Sequence, residues 1–275
     1  MDDFAAFSRL VEALRPWLND LVFVGGWAHR LYRFHPLAHP PEYRSITTKD
    51  ADIAFALGAP LAGNIAAALL AAGFEQELSG DEVPPVTLYR LGGDQQGFFA
   101  EFLTPLSGSE IRRSGQPDAT VRKAGVTAQK LRYLDLLLMA PWTVQMPAAG
   151  RAAAGQPVSV RLPNPVSFIA QKLLIHGRRQ PPEKRAQDLL YVHDSLELFG
   201  RELAALHRVW HEEIRPTLPR RTIKTVESSW SEQFRTVTDV HRNAVRIPQD
   251  RTLTPERLRA ACALGLEEIF GPRAA

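Results

Sequence analysis

Residues 23–32 read FVGGWAHRLY, and residues 47–55 read TTKDADIAF. The first is an apolar run that stops at two glycines and enters a helical pattern. The second is an apolar run that begins with aspartates one residue apart. Residues 21–24 (LVFV) predict a short strand, Gly25 and Gly26 end it, and WAHRLYRF starts a helix. A strand that turns into a helix at glycine leaves backbone N–H groups at the helix start. With the helix dipole, these donors suit phosphate oxygens. Glycine also permits close backbone approach to a ligand, because no side chain intervenes. In the second run, residues two apart share one face of a strand. Asp50 and Asp52 therefore project together, while Ala51, Ile53 and Phe55 face the opposite, buried side.

Two carboxylates held side by side repel, and each raises the other's pKa. A divalent cation removes that penalty; magnesium prefers one or two carboxylates, several waters and substrate phosphate oxygens. Alone, a D-x-D is commonly a hydrated strand end, and a Gly-Gly turn is commonly an ordinary turn. A third acid joins them in GFFAEFL, residues 97–103, where alternation sets Phe99, Glu101 and Leu103 on one face. A carboxylate between two large apolar neighbours is costly without a partner. An arginine or a shared metal would serve, and beside Asp50 and Asp52 the metal is the stronger choice. Three carboxylates on adjacent strands can hold two magnesium or manganese ions, one at an attacking hydroxyl and one at a triphosphate.

Around this core the chain reads as α/β, a mixed sheet followed by a mainly helical C-terminal part. Residues 4–17 predict an amphipathic helix from Phe4, Phe7, Val11, Leu14 and Trp17. The stretch HPLAHPPEYRS predicts a loop, and GNIAAALLAAGF a helix stopped at Gly73. VTLYRL and GFFAEFL predict strands joined through GGDQQ, and residues 112–117 a polar loop. LRYLDLLLM is open between helix and strand. WTVQM and VSVRLP predict a second β pair around the connector PAAGRAAAGQP. Pro163 and Pro165 mark the change to helices, which places an α/β domain over residues 1–162 and a helical domain, contributing to the cleft, over 163–275.

Composition sets outer limits. With 275 residues, 45% hydrophobic, the chain can bury a sizeable core in one large or two modest domains. No run of about 18 uncharged apolar residues exists, so no membrane helix is expected. The N-terminal MDDFAAFSRL lacks the basic start of a signal peptide, so a cytoplasmic protein is expected. Cys262 is the only cysteine, which excludes an internal disulfide and a cysteine-based zinc cluster. A net charge of +3 permits a nucleic-acid partner without requiring one. The basic residues gather late, at residues 220–224 (RRTIK), Arg235, Arg242, Arg246 and Arg251, either as a solvated helix surface or as a nucleic-acid footprint. His35 and His39 lie in a proline loop without cysteine, and Ser107 and Ser109 lack a His/Asp set. No Walker-type G-x-x-x-x-G-K-[ST] is present.

VGGWA, TTKDAD and FFAEFL together resemble the nucleotidyltransferase fold of the DNA polymerase beta-like superfamily. NPVSFIAQKLLIHGRRQPPEKRAQDLLYVHD is similar to the downstream block of its AbiEii-type branch, which includes nucleotidyltransferase toxins of toxin–antitoxin systems. The resemblance runs over residues 22–194. It implies that Gly25 and Gly26 bind phosphate, that Asp50 and Asp52 hold metal, and that Glu101 completes the set as base or ligand. It also implies that Thr48 belongs to a T-x-D-x-D motif, that Lys172 contacts nucleotide phosphates, and that Asp188 lies near the same end of the cleft. The chain departs from the pattern at Gly26, where many members have serine, in its long loop before Asp50, and at Gln187, where the toxins often have lysine.

The activity so implied is transfer of NMP from an NTP to a hydroxyl acceptor with release of pyrophosphate. The acceptor implied by the toxin-like block is RNA, tRNA in particular, with an antitoxin as protein partner. A small-molecule acceptor, as in antibiotic-modifying members, and a protein hydroxyl fit the same carboxylates. A non-catalytic nucleotide-binding protein is the reading from another class. From the residues alone, Lys172 reads as a lysine snorkelling from a helix flank, and Lys184 with Asp188 as a helical ion pair.

Overall fold

Leu21–Val24 (β1) is buried at all four positions, as an apolar run without alternation requires. The computed structural model describes residues 3–56, 58, 61–92, 97–109, 111, 115, 117–147 and 157–272. The turn at 93–96, residues 112–114 and 116 of the polar loop, and the connector at 148–156 lie outside them. Contacts divide the chain into two units. The first comprises Met1–Phe34 and Thr47–Pro163, the second His35–Ile46 and Asn164–Ala275.

The first unit is built on a mixed seven-stranded sheet. β2 (Asp50–Phe55) lies antiparallel to β1, with Val24 opposite Asp52. On its other side β5 (Phe98–Pro105) runs parallel, with Asp52 opposite Glu101 and Asp50 opposite Phe99. β4 (Val86–Leu91) pairs antiparallel with β5, setting Leu88 against Glu101 and Arg90 against Phe99. β3 (Glu75–Ser79) follows antiparallel to β4. The far end of β5 pairs with β7 (Val126–Leu131), which is hairpinned to β6 (Thr120–Lys123). One hydroxyl joins β4 to β7: Thr127 N donates to Thr87 Oγ1 at 2.9 Å, and that hydroxyl donates to the Thr127 carbonyl at 3.3 Å.

Register and alternation sort the side chains. Asp50, Asp52, Phe99, Glu101, Leu88 and Arg90 share one face, while Ala51, Ile53, Phe55, Ala100, Phe102 and Tyr89 share the other. The second face is the core. Phe55 stacks on Phe102 at 5.6 Å, and Tyr89 meets Phe102 edge-on at 6.0 Å. Burying each such ring stabilises the fold by roughly 2–3 kcal/mol. Three helices join this layer: α1 (Asp3–Ala13), α2 (Gly25–Leu31) and α3 (Ile65–Ala71). Phe7 of α1 stacks on Trp27 of α2 at 4.0 Å, and Trp27 meets Phe98 at 6.0 Å. Asn64 caps α3 by accepting from Ala67 N at 3.0 Å. A short α4 (Leu134–Leu137) and the hairpin of β8 (Trp142–Met146) with β9 (Val158–Leu162) complete the unit.

Several elements differ from their sequence reading. The first helix stops at Ala13, not at 17, and Pro16 opens a 3-10 segment, Arg15–Asp20, because its ring removes a helical N–H donor. The second helix includes both glycines. β3 was not expected: four of its five residues are exposed, so EQELS carries no apolar alternation to mark an edge strand. The β6–β7 hairpin was likewise unmarked. LRYLDLLLM divides between the two alternatives, Leu131 ending β7 and Leu134 opening α4.

The second unit is helical: α5 (Pro165–Ile175), α6 (Pro182–Leu198), α7 (Leu203–Arg208), a π segment Val209–Ile214, α8 (Arg220–Gln233), α9 (Asp239–Ala244) and α10 (Pro255–Phe270). Asn164 caps α5 through Ser167 N at 2.8 Å, and Thr254 caps α10 through Arg257 N at 3.2 Å. α6 is its centre, with eleven buried residues. The proline loop belongs to this unit. His39 N donates to the Leu198 carbonyl at 2.8 Å, and Arg44 N to Asp250 Oδ2 at 2.7 Å. No described helix of either unit is long and apolar enough to cross a membrane.

Candidate active site

The site begins at the turn between β1 and α2. Gly25 has φ +63°, a conformation strained for any L side chain. A Cβ placed there would lie 2.0 Å from Asp52 Oδ2 and 3.1 Å from Asp52 Cγ. The glycine is therefore needed twice over, for its backbone angle and for the carboxylate resting against it. Val24 occupies the cap position of α2, and no side chain caps the helix there. Gly26 is buried in the first turn.

From Asp52 the site extends across the sheet. Asp52 and Glu101 are register partners on neighbouring parallel strands, whose backbones lie about 5 Å apart across the sheet. Asp50 is two residues from Asp52 on the same face. Pairing starts one residue earlier, where Phe99 N donates to the Lys49 carbonyl at 3.1 Å, so the end of β2 that carries the aspartates is held to β5. Thr48 is half-buried in the segment entering β2. All three acids are half-buried, and among the described residues neither Asp50 nor Glu101 meets a hydrogen bond or ion pair. Ionised carboxylates are acceptors only. Carboxylates without donors, as at Asp50 and Glu101, are stabilised by a cation, and an all-oxygen donor set suits a hard divalent ion.

One residue of this face escaped the sequence reading. Arg90 pairs with Glu77, and its guanidinium carbon lies 5.0 Å from the centre of the Phe99 ring, beside Asp50 in the register. The alternation in VTLYRL was its only signal, and the strand order that brings it beside Phe99 is not written locally.

Lys172 and Asp188 lie in the helical unit, on α5 and α6, where the structure brings them together. Lys172 Nζ donates to Asp188 Oδ1 at 2.7 Å, with both side chains buried. The ammonium lies 5.4 Å from the ring centres of Phe168 and of Tyr191. Arg179 Nε approaches Asp188 Oδ2 at 3.3 Å without hydrogen-bond geometry. Asp188 thus takes its partners from α5 and the following turn, not from Lys184 one helical turn away.

A further group in the helical unit could offer metal ligands: His193, Asp194 and Glu197, with candidate donor atoms within 4.8 Å of one another. The charge of Asp194 is already met, and Glu197 already accepts a hydrogen bond. Arg251 Nη2 donates to both Asp194 oxygens at 2.6 and 2.7 Å, His193 Nδ1 lies 3.0 Å from Asp194 Oδ1, and the Tyr43 hydroxyl bonds Glu197. Arg251 also lies 3.5 Å over the Tyr43 ring. Burial and the neighbouring Asp194 raise the Tyr43 pKa far above that of an ordinary phenol. Burial, reinforced by Asp194 and Glu197, raises that of the Cys262 thiol. This is a polar anchor for the proline loop.

A family model described as "Nucleotidyltransferase" matches residues 3–215. The chain belongs to that nucleotidyltransferase family. Among solved structures it is similar to an antigenic nucleotidyltransferase-like protein from Paracoccidioides brasiliensis, at 16% identity and a TM-score of 0.41, over 87% of this chain and 90% of that one. No curated protein matches the chain.

Proposed function

We propose that this chain transfers NMP from an NTP to a hydroxyl of RNA, tRNA in particular, and releases pyrophosphate. The observation that carries the reading is the Asp52–Glu101 register with the Gly25 turn closed against Asp52. Asp50, Asp52 and Glu101 would hold magnesium or manganese, two ions in the full set. When bound, such ions neutralise the triphosphate and lower the pKa of the acceptor hydroxyl. The chain's own residues do the rest. Backbone N–H groups at Gly25 and Gly26 meet phosphate oxygens, and Thr48 orders the approach to Asp50. Glu101, on the side of the row away from the glycine turn, accepts the acceptor's proton. The acceptor oxygen then bonds to the α-phosphorus as the bond to the β-phosphate oxygen breaks, and the electron pair leaves with pyrophosphate. Positioning and charge neutralisation supply most of what this chemistry needs.

Lys172 fits the reading as a phosphate contact only if it exchanges Asp188 for the nucleotide. The similarity of residues 164–194 to the AbiEii-type block supports an RNA acceptor, and with it a cytoplasmic toxin held by an antitoxin. The test is a transfer assay with each α-labelled NTP, magnesium or manganese, and total RNA, comparing the unmodified protein with Asp50→Asn/Asp52→Asn. Label should enter RNA and fall by a factor on the order of 10³ or more in the variant. Equal labelling by the variant would refute the site. Label on a small molecule or protein instead would keep the chemistry and replace the acceptor.

A further inference from the structure

We propose that Arg220, Arg221 and Lys224, on the exposed face at the start of α8, form a docking surface for the phosphate backbone of RNA. The proposal deepens the RNA-acceptor reading and rests on it for its purpose, although binding here is independent of transfer chemistry.

The argument starts from charge. Lys172, Arg179, Arg215, Arg242 and Arg251 of the helical unit each meet a carboxylate. Among the described residues no carboxylate pairs with Arg220, Arg221 or Lys224, and all three are exposed. Glu227, the first acid after them on α8, is taken by Arg215 at 3.4 Å. Their place makes this costlier. Cations at a helix N-terminus oppose the macrodipole, which favours negative charge there. Three unneutralised cations in a helix's first five residues weaken the fold locally and gain only when an anion arrives.

Shape agrees with charge. These three side chains, with Thr225 and Ser228, line an open cavity of about 480 Å³. Both hydroxyls turn inward. Thr225 Oγ1 donates to the Arg221 carbonyl at 2.9 Å, and Ser228 Oγ to the Thr225 carbonyl at 3.3 Å. The three cationic heads are therefore the cavity's dominant polar groups, set on a lining that is mostly carbon. The cavity has no aromatic ring on which a base could stack, no large apolar residue for a protein partner to bury, and none to enter a lipid surface. Phosphate contacts without base readout are the recognition it fits.

The experiment uses the full chain and a fluorescein-labelled 20-base-pair RNA duplex, with anisotropy read from 50 to 200 mM salt. In Arg220→Ser/Arg221→Ser/Lys224→Ser, binding at 50 mM salt should weaken about tenfold or more, and the salt slope should fall by about three, roughly one per lost phosphate contact. Arg220→Lys/Arg221→Lys should recover most of the affinity. The triple variant should melt at or above the unmodified protein's temperature, because the dipole clash is relieved. Asp50→Asn/Asp52→Asn should bind RNA normally, which separates a failed surface from a failed catalytic reading. Unchanged affinity and slope in the triple variant, or no binding by the unmodified protein at 50 mM salt, would overturn the proposal. So would a lowered melting temperature accompanying the loss. Full displacement of RNA by tripolyphosphate at equal phosphate concentration would assign the site to free polyphosphate. Binding to phosphatidylserine vesicles lost in the variant while RNA binding is kept would assign it to lipid.

Discussion

Two groups of acids, one in each unit, are treated in opposite ways. In the helical unit, Asp188 is buried with Lys172 at 2.7 Å, and Asp194 is held through both oxygens by Arg251. In the sheet unit, Asp50 and Glu101 meet no such partner among the described residues, and Asp52 lies against a glycine turn. A buried pair costs desolvation of two charges and is destructive when halved, because one uncompensated charge remains. An open row of acids costs mutual repulsion, which removal relieves. The first arrangement holds a fold together, and the second, under the function proposed above, would hold a place for a cation.

The largest expected effect breaks the paired side. Asp188→Ala leaves Lys172 buried without its partner and should cost about 3–5 kcal/mol in urea unfolding. Asp188→Leu/Lys172→Met should recover most of that loss. By contrast, Asp50→Asn should leave the urea midpoint unchanged or higher, and a fall as large as that of Asp188→Ala would erase the distinction between the two groups.

Gly25→Ala comes next. The φ of +63° should cost about 1–2 kcal/mol for a residue with a Cβ. The added carbon must also push the Asp52 carboxylate aside, so transfer should fall further than stability predicts. A variant with normal transfer would detach Asp52 from the turn.

Histidines sharpen the comparison most gently. His241, His176 and His35, all of the helical unit, have pKa values lowered chiefly by burial from the usual value near 6.5. The charges of His176 and Arg259 add to the shift at His241. The unfolded chain therefore binds more protons, and the stability these residues contribute is full above about pH 6.5 and is lost as pH falls. His241 supplies the mechanism, since its Nδ1 accepts from Thr238 N at 3.2 Å in the cap of α9 and cannot accept once protonated. The urea midpoint should fall from pH 7 to about pH 5, and His241→Gln should flatten part of that slope. A midpoint constant over that range would refute the assignment.

Legibility in the sequence followed locality. Residues 21–24, the glycine turn and the D-x-D alternation act over a few residues, so composition and period expose them. β3 lacked a signal because an exposed edge strand carries no apolar alternation, and β6 because its four residues, TVRK, are too short a run to show a period. Arg90 was missed because its significance comes from its neighbours across the sheet. Lys172 and Asp188 were singled out, but their direct pairing depends on how α5 lies along α6. Arg251 stood out only as one of several late cations. Its contacts with Tyr43 and Asp194 join chain segments 208 and 57 residues apart.

The sequence by itself determined the class of fold, the faces of the strands and the three acids, because periodicity and glycine geometry are local properties of the chain. Tertiary structure decided that β2 and β5 are parallel neighbours in the register that sets Asp52 against Glu101. It also decided which acids found cations and which did not. Strand order and ion pairing are choices among distant partners, made by burial and by the entropy of closing the chain between them, and no short stretch of residues encodes that competition.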